Sequence, residues 1–98
     1  MVILRIVFKP FGPFRRVCGA SEIPLTLEHA HTVNDVIQEL LERFGPDLQN
    51  LLIEDGTVNG NVIIMLNKRD IATLGGLDTP IRDGDEIAIL PHVQGGAD

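Results

Sequence analysis

The chain has 98 residues, 44% of them hydrophobic, and its eight basic and fourteen acidic residues give a formal net charge of −6. This length predicts a single domain, and the hydrophobic fraction argues against an intrinsically disordered chain. Because the basic residues are few and scattered, the charge pattern argues against nucleic-acid binding through phosphate neutralisation.

The first predicted element is a strand over residues 2–8, where apolar side chains alternate between two faces. One face carries Val2, Leu4, Ile6 and Phe8, and the other carries Ile3, Arg5 and Val7. The apolar run is too short to span a membrane, and no signal-peptide cleavage site follows it. We therefore expect a cytoplasmic protein that makes no membrane contact.

Residues 9–19, KPFGPFRRVCG, contain two prolines and two glycines and are predicted to form a loop. Alternation resumes from Ser21, with Ile23, Leu25 and Leu27 on one face, which predicts a second strand. We expect the two strands to pair as an antiparallel hairpin through this long loop.

Residues 33–44, VNDVIQELLERF, are predicted to form an amphipathic helix that ends at Gly45-Pro46. Thr32 can cap its first turn, and Asp35 places a carboxylate near the positive end of the helix dipole. Six apolar side chains recur at helical spacing: Val33, Val36, Ile37, Leu40, Leu41 and Phe44. Their burial would contribute roughly 9–18 kcal/mol before the entropy of ordering them is subtracted.

After a looser stretch around residues 48–53, turns at residues 59–60, 67–70 and 83–84 delimit the remaining strands. The clearest of these strands cover residues 62–66 and 86–90. A hairpin, one helix and further strands predict an α+β fold, a mixed sheet with one main helix packed on one face. With the last strand beside the first, this is a β-grasp, the ubiquitin-like roll. We place this domain at residues 1–91 and a flexible carboxyl-terminal tail at residues 92–98.

The sequence contains no cluster that predicts catalysis. His29 and His31 alternate along an extended segment, but no third ligand completes a metal site. Cys18 is the single cysteine, which excludes an internal disulfide, and no histidine stands with it as in a nucleophilic pair. Gly75-Gly76 lacks the lysine of a phosphate-binding loop. We therefore expect a monomer that is acted upon by an enzyme and is not one itself.

The sequence DGDEIAILPHVQGG, residues 83–96, resembles the ends of the MoaD and ThiS sulfur carriers. In those families an acidic turn, an apolar strand and a proline precede Gly-Gly. Residues 62–90 are similar to the ubiquitin-related modifier family, which shares an Asn-containing turn and a Leu-Gly-x-Leu-Asp stretch, found here at Leu74 and residues 76–78. The similarity covers most of residues 57–96, and the amino-terminal half only in the order of its elements.

This resemblance implies that the carboxylate of Gly96 is adenylated by a partner of the ubiquitin-activating type, which uses ATP with Mg, while this chain binds no cofactor. A sulfur donor would then convert the carboxylate to a thiocarboxylate, or an acceptor protein would receive it on a lysine. The six residues that follow Leu90, up to Gly96, could extend about 20 Å into a nucleotide cleft, and glycines at 95 and 96 add no Cβ in a narrow channel.

Ala97 and Asp98 follow Gly95-Gly96 and hide the carboxylate of Gly96. Some members of the resembling families carry such an extension, which a zinc metalloprotease of the JAMM type removes. We therefore expect a precursor that must lose these two residues before activation.

The sheet face opposite the helix is predicted to dock the activating enzyme or a synthase subunit, because apolar side chains rimmed by charge are exposed there. The predicted contact residues, with those of the tail base, are Ile3, Arg5, Val7, Ile64, Leu66, Pro91, His92 and Val93. The alternative is that the segment with Phe11 and Phe14 folds over this face.

Two functions of different classes stay open at this point. The first is a sulfur carrier or modifier: the Leu-Gly-x-Leu-Asp stretch favours tRNA thiolation or conjugation, and DGDEIAILP favours molybdopterin synthesis. The second is a ubiquitin-like binding module that docks through its sheet without using the tail. Self-linked chains would be restricted to Lys9, Lys68 and the amino terminus, since the sequence has no other lysine.

Overall fold

The chain forms a five-stranded mixed sheet, which the computed structural model describes for residues 3–92. Strand β1, Ile3–Pro10, pairs antiparallel with β2, Ile23–Glu28, so the predicted hairpin is confirmed. Every second side chain of both strands is buried, as the alternation of apolar residues predicts.

The connection between β1 and β2 contains a helix, α1 (Pro13–Cys18), so the prediction of a plain loop was wrong. Proline is tolerated at the first helical position, because its missing N–H would have no partner there. Gly19 ends the helix with a φ of 80°, and its N–H donates to the Arg15 carbonyl oxygen over 2.8 Å. Helix α1 buries Phe14 in the core, with Val17 and Cys18 packed against it.

Helix α2, Val33–Phe44, has the predicted bounds and begins with a capping box. The Asp35 N–H donates to Thr32 Oγ1 over 3.4 Å, and the Thr32 N–H donates to Asp35 Oδ2 over 3.1 Å. These bonds satisfy amide groups that have no partner within the helix. The helix packs on one face of the sheet through four side chains with no exposed surface: Val33, Val36, Ile37 and Leu40.

A third helix, α3 (Pro46–Leu52), follows directly, where the sequence predicted only a looser stretch. Gly45 makes this possible, because its φ of 70° turns the chain sharply between α2 and α3. A short hairpin then forms from β3, Ile53–Glu54, and β4, Thr57–Val58. None of the helices within residues 3–92 is both long enough and apolar enough to cross a bilayer.

The remaining strands are β5 (Val62–Leu66), β6 (Arg69–Asp70) and β7 (Glu86–Pro91), with two 3₁₀ turns at Ile71–Thr73 and Gly76–Asp78. The strand order is β2-β1-β7-β5-β6. Strand β7 lies in the middle, parallel to β1 and antiparallel to β5. This is the predicted α+β architecture, a mixed sheet with the main helix on one face.

Candidate functional site

The candidate site is the place where the chain leaves the sheet after β7. On one side the register pairs Ile89 with Pro10 of β1, and on the other it pairs Pro91 with Val62 of β5. Beyond the strand, the His92 N–H donates to the Asn61 carbonyl oxygen over 2.7 Å. The last strand is therefore held by neighbours on both sides almost to its final residue.

Five residues of the predicted site lie outside the described residues 3–92: Val93, Gly95, Gly96, Ala97 and Asp98. What the sequence indicates for them stays a prediction. Because Leu90 and Pro91 belong to β7, the length available beyond the sheet is counted from His92. The four residues that follow His92, up to Gly96, could span at most about 14 Å, less than the 20 Å expected from Leu90.

An acidic turn leads the chain into β7 and ties it to the first strand. The Arg5 N–H donates to Asp83 Oδ1 over 2.8 Å, and the Gly84 N–H donates to the Arg5 carbonyl oxygen, also over 2.8 Å. Gly84 has a φ of 91°, a conformation that side chains with a Cβ rarely adopt. The aspartate and glycine of this turn thus have a structural role in setting where β7 begins.

A second set of bonds joins the same turn to β5. Asn67 Nδ2 donates to Asp85 Oδ1 over 3.0 Å, and the Glu86 N–H donates to Asn67 Oδ1 over 2.9 Å. The sequence showed Asn67 only as part of a turn, and its bonds to residues 18 and 19 positions away became visible only in the structure. Asn67 and the acidic turn together fix the entry of β7 from both sides.

The sheet face opposite α2, which we call the open face, carries the three predicted residues of β1. Ile3 is 47% exposed, Arg5 is exposed and Val7 is half-buried, so all three lie where the alternation predicted. The open face exposes apolar side chains beside a charged one, as a docking surface requires.

Two residues predicted for the open face lie on the opposite side of the sheet. Ile64 is 4% exposed and Leu66 is 8% exposed, and both belong to the core under the helices. Register with β7 decides this, since Ile64 pairs with Ile89 and thereby shares its face. A one-residue error of phase moves a whole strand's side chains to the other face. The open-face residues of β5 are Ile63 and Met65, both half-buried.

The alternative that Phe11 and Phe14 cover the open face is wrong for Phe14, which is 2% exposed and part of the core. Phe11 is 39% exposed, and the guanidinium carbon of Arg15 lies 5.2 Å from the centre of its ring. A cation over an aromatic ring at this distance attracts it electrostatically. Phe11 therefore packs against Arg15 of the following helix, α1, and stays partly exposed.

A lysine on the open face is held by two carboxylates. Lys9 Nζ lies 3.1 Å from Glu86 Oε1 and 3.6 Å from Glu22 Oε2. The hydrogen bond and the negative charge of Glu86, with a smaller contribution from Glu22, raise the pKa of Lys9 above its ordinary value of 10.5. Its amine is correspondingly more completely protonated than that of an ordinary lysine.

The residues weighed for catalysis do not converge. Within residues 3–92, no three histidine, cysteine, aspartate or glutamate side chains are grouped so that they could hold a metal ion. Burial raises the pKa of the Cys18 thiol above its ordinary value of 9.0, which lowers its reactive thiolate fraction. The backbone N–H of His31, and to a smaller extent that of Thr32, donates to the Asp35 carboxylate and holds its pKa below the ordinary value of 3.8. That carboxylate serves the helix cap.

Comparison with known proteins agrees with this geometry. The model of the ThiS family matches residues 10–96, nearly the whole chain. The chain belongs to the ThiS family. Small archaeal modifier protein 3 of Haloferax volcanii is 36% identical over 86 residues, which cover 88% of this chain and 92% of that protein. The sulfur carrier protein CysO of Mycobacterium tuberculosis is 36% identical over 67 residues, 66% of this chain and 72% of its own.

The fold of this ThiS-family chain is shared with a solved modifier structure. Small archaeal modifier protein 1 from Methanosarcina acetivorans superposes with a TM-score of 0.83 at 33% identity, covering 98% of this chain and 100% of that one. The β-grasp prediction is thereby confirmed. The relatives are sulfur carriers and small modifiers, and this ThiS-family protein is accordingly a carrier or ubiquitin-like modifier.

Proposed function

We propose that the reactive group of this protein is the carboxylate of Gly96, presented at the end of β7 to an adenylating partner. The observation that carries the proposal is the position of β7. It is the central strand, bonded to β1 and β5, and it delivers the chain to His92 four residues before Gly96. The ThiS match also runs through residue 96 and leaves Ala97 and Asp98 outside it.

The chemistry would take place in the partner. A Gly96 carboxylate oxygen attacks the α-phosphate of ATP, pyrophosphate leaves with Mg, and the glycine becomes an acyl-adenylate. A sulfide-level donor then displaces AMP to give a thiocarboxylate, or a lysine amine displaces it to give an isopeptide bond. In this scheme the chain binds no cofactor and catalyses nothing. Glycine suits the reacting position because it has no side chain to obstruct attack on its carbonyl.

Activation at Gly96 requires that its carboxylate be free. We propose that hydrolysis of the Gly96–Ala97 peptide bond, by a zinc metalloprotease of the JAMM type, removes Ala97-Asp98 first. A span of about 14 Å beyond His92 means that the partner must approach the end of the sheet closely to reach Gly96. We place both the trimming and the activation of Gly96 in the cytoplasm.

The open face would dock the partner during the same encounter. It combines the exposed Ile3 and Arg5 of β1 with the half-buried Ile63 and Met65 of β5. A partner seated there would lie against β7, from which the reacting end leaves. The acceptor pathway, tRNA thiolation or molybdopterin synthesis or protein conjugation, would then follow from which acceptor protein or synthase subunit uses the charged carrier.

A pyrophosphate-exchange assay tests the proposal with three versions of the chain. The version ending at Gly96 should support ATP–pyrophosphate exchange by an adenylating enzyme purified from the cells that make this protein. The chain that retains Ala97-Asp98 should be inactive until it is trimmed. A version ending at Gly95 is the control for chain length, because it also ends in a glycine carboxylate but is one residue shorter. Equal exchange with all three versions, or none with the first, would contradict the proposal.

A second candidate is a binding module that docks through the open face and never uses its tail. The half-buried apolar residues Ile63 and Met65 favour it, because docking alone would explain why they lie on an uncovered face. Deletion of residues 95–98 separates the two candidates. A binding module keeps its activity in cells after this deletion, whereas a carrier loses it completely.

A further inference from the structure

The end of β7 is flanked by two segments that do not belong to the open face. On one side lies the turn between β1 and α1, which includes Phe11 and Gly12. On the other lies the turn of residues 59–61, which precedes β5. The Phe11 N–H donates to the Ile89 carbonyl oxygen over 2.9 Å, so the first turn continues the pairing of β1 with β7.

Gly12 lies directly beside Pro91, the last residue of β7. A Cβ placed on Gly12 would lie 3.2 Å from Pro91 Cγ and 3.3 Å from Pro91 Cδ, closer than ordinary side-chain contacts. Gly12 also has a φ of 59° and a ψ of −133°, a combination that residues with a Cβ rarely adopt. The absence of a side chain thus permits the turn and leaves room for the proline ring beside it.

The turn of residues 59–61 is fixed by three hydrogen bonds. The Asn61 N–H donates to Asn59 Oδ1 over 2.8 Å, and the Val62 N–H donates to the Asn59 carbonyl oxygen over 3.0 Å. The Asn59 N–H in turn donates to the Leu52 carbonyl oxygen over 2.7 Å. This is the local bonding by which an asparagine side chain stabilises a turn.

The fixed turn presents the Asn61 carbonyl oxygen to the His92 N–H, at 2.7 Å. Pro91 has no N–H to offer, so His92 supplies the last backbone donor of the described chain on this side of β7. His92 is exposed, yet its backbone is bonded to a turn that the Asn59 side chain stabilises.

We infer that Gly12, Asn59 and the Asn61 carbonyl form a collar that sets the point and direction in which the chain leaves the sheet, and that they are positioning residues for the activation of Gly96. This inference rests on the function proposed above. A terminus whose base is already ordered loses less conformational entropy on entering a narrow cleft. The collar therefore lowers the KM for the carrier and leaves the chemical step in the partner unchanged.

The pair His92→Pro and His92→Ala isolates the bond to Asn61 in chains ending at Gly96. Both variants remove the imidazole, but only His92→Pro removes the N–H. Proline is compatible with the extended conformation of a preceding strand residue. We expect His92→Pro to have a KM roughly 2- to 10-fold above that of His92→Ala in pyrophosphate exchange, the range for one hydrogen bond, with kcat equal within error.

The pair Asn59→Ala and Asn59→Asp tests the second part of the collar. Aspartate keeps an acceptor oxygen for the Asn61 N–H and alanine does not. Only Asn59→Ala should therefore show an increased KM, as His92→Pro does. Thermal melting of all four variants verifies that each is folded at the assay temperature. Equal KM values within both pairs of folded variants would overturn the inference.

Amide hydrogen exchange keeps this test separate from the proposed function. In His92→Ala the amide at position 92 should exchange slowly, and adding Asn59→Ala should accelerate it at least several-fold. If the chain that ends at Gly96 and carries no other change supports no pyrophosphate exchange, the proposed function fails, and the collar is judged by this protection alone. Fast exchange at position 92 in His92→Ala would then contradict the collar itself.

Discussion

The two faces of the sheet are built from the same strands, but one face is buried against the helices and the other is exposed to solvent. On the face under α2, Phe8, Ile87 and Ile89 have no exposed surface. On the open face, the intervening positions include a lysine held by two carboxylates and an isoleucine that is 47% exposed. Strand β7 contributes to both faces, so the strand that anchors the core is also the one that leads to the end that we propose to be reactive. Changes on the two faces should therefore separate stability from docking.

The largest effect is expected from adjacent residues of β5 that lie on opposite faces. Leu66→Lys would place an unpaired charge in the core and should lower the free energy of unfolding by at least about 3 kcal/mol. Met65→Lys lies on the open face and should cost less than about 1 kcal/mol, because its charge can reach water. Urea denaturation measures both. Similar losses in the two variants would mean that β5 does not divide its side chains between the faces as described.

Strand β5 also shows where sequence reasoning was limited. Its run VIIML is apolar throughout and has no alternation, so nothing local indicates which phase is buried. The phase follows from pairing with β7, a long-range contact that the sequence does not display. In β1 the arginine at position 5 marks the exposed phase, and the prediction for that strand was correct.

The helices give a second lesson on the same point. Helix α2 was predicted with its bounds because a cap, a periodic apolar stripe and a Gly-Pro stop all agree. Helices α1 and α3 were missed because their prolines were taken as breakers. In both, however, proline stands at the first helical position, and apolar residues follow at positions 2, 5 and 6 of α1 and at positions 3, 6 and 7 of α3. Those signals were present in the sequence.

The candidate site was only partly predictable. Gly95-Gly96 follows a proline-ended strand, and that local pattern sufficed to indicate the family. The collar did not appear in the sequence, because it joins residues 12, 59–61 and 91–92, which are far apart along the chain. A glycine and an asparagine in turns are common, and only their distances to the end of β7 distinguish them.

An intermediate effect is expected at the cap of α2, on the covered side of the molecule. Thr32→Ala should lower the free energy of unfolding by about 1 kcal/mol at neutral pH, the usual cost of losing a cap. Asp35 has a pKa below its ordinary 3.8 in the folded protein, so its contribution is present above that pH and is lost as the pH falls through the lowered value. Asp35→Asn should therefore flatten the acid side of the stability curve.

Glu39→Gln is the control for this pH dependence. Glu39 is exposed on the same helix and has no hydrogen bond to another side chain or to the backbone among residues 3–92. Denaturation at a series of pH values should show the wild-type acid dependence in Glu39→Gln and a weaker one in Asp35→Asn. An unchanged acid dependence in Asp35→Asn would show that the cap does not act through this carboxylate.

The smallest effect concerns the two lysines. Lys9 is held by Glu86 and Glu22, whereas Lys68 is exposed in a turn with a φ of 70° and has no ion pair with the residues that the structure describes. Because the pKa of Lys9 is raised, a smaller fraction of its amine is neutral at any pH below that value. Limited acetylation followed by peptide mass spectrometry should therefore modify Lys68 faster.

Glu86→Gln removes the main cause of this difference and should bring the two acetylation rates closer together. The stabilisation that Lys9 gains from pairing is present below its ordinary pKa of 10.5 and is lost as the pH rises through the raised value. Faster acetylation of Lys9 than of Lys68 in the wild-type protein would contradict the arrangement of charges on the open face.

The central claim, that the reacting end is Gly96, is tested most directly by mass spectrometry of the carboxyl-terminal peptide from protein isolated from its own cells. The account predicts peptides that end at Gly96, as the carboxylate, as the thiocarboxylate with sulfur in place of one oxygen, or joined to a lysine of another protein. Peptides that all continue through Ala97-Asp98, from cells in which the protein is active, would contradict it.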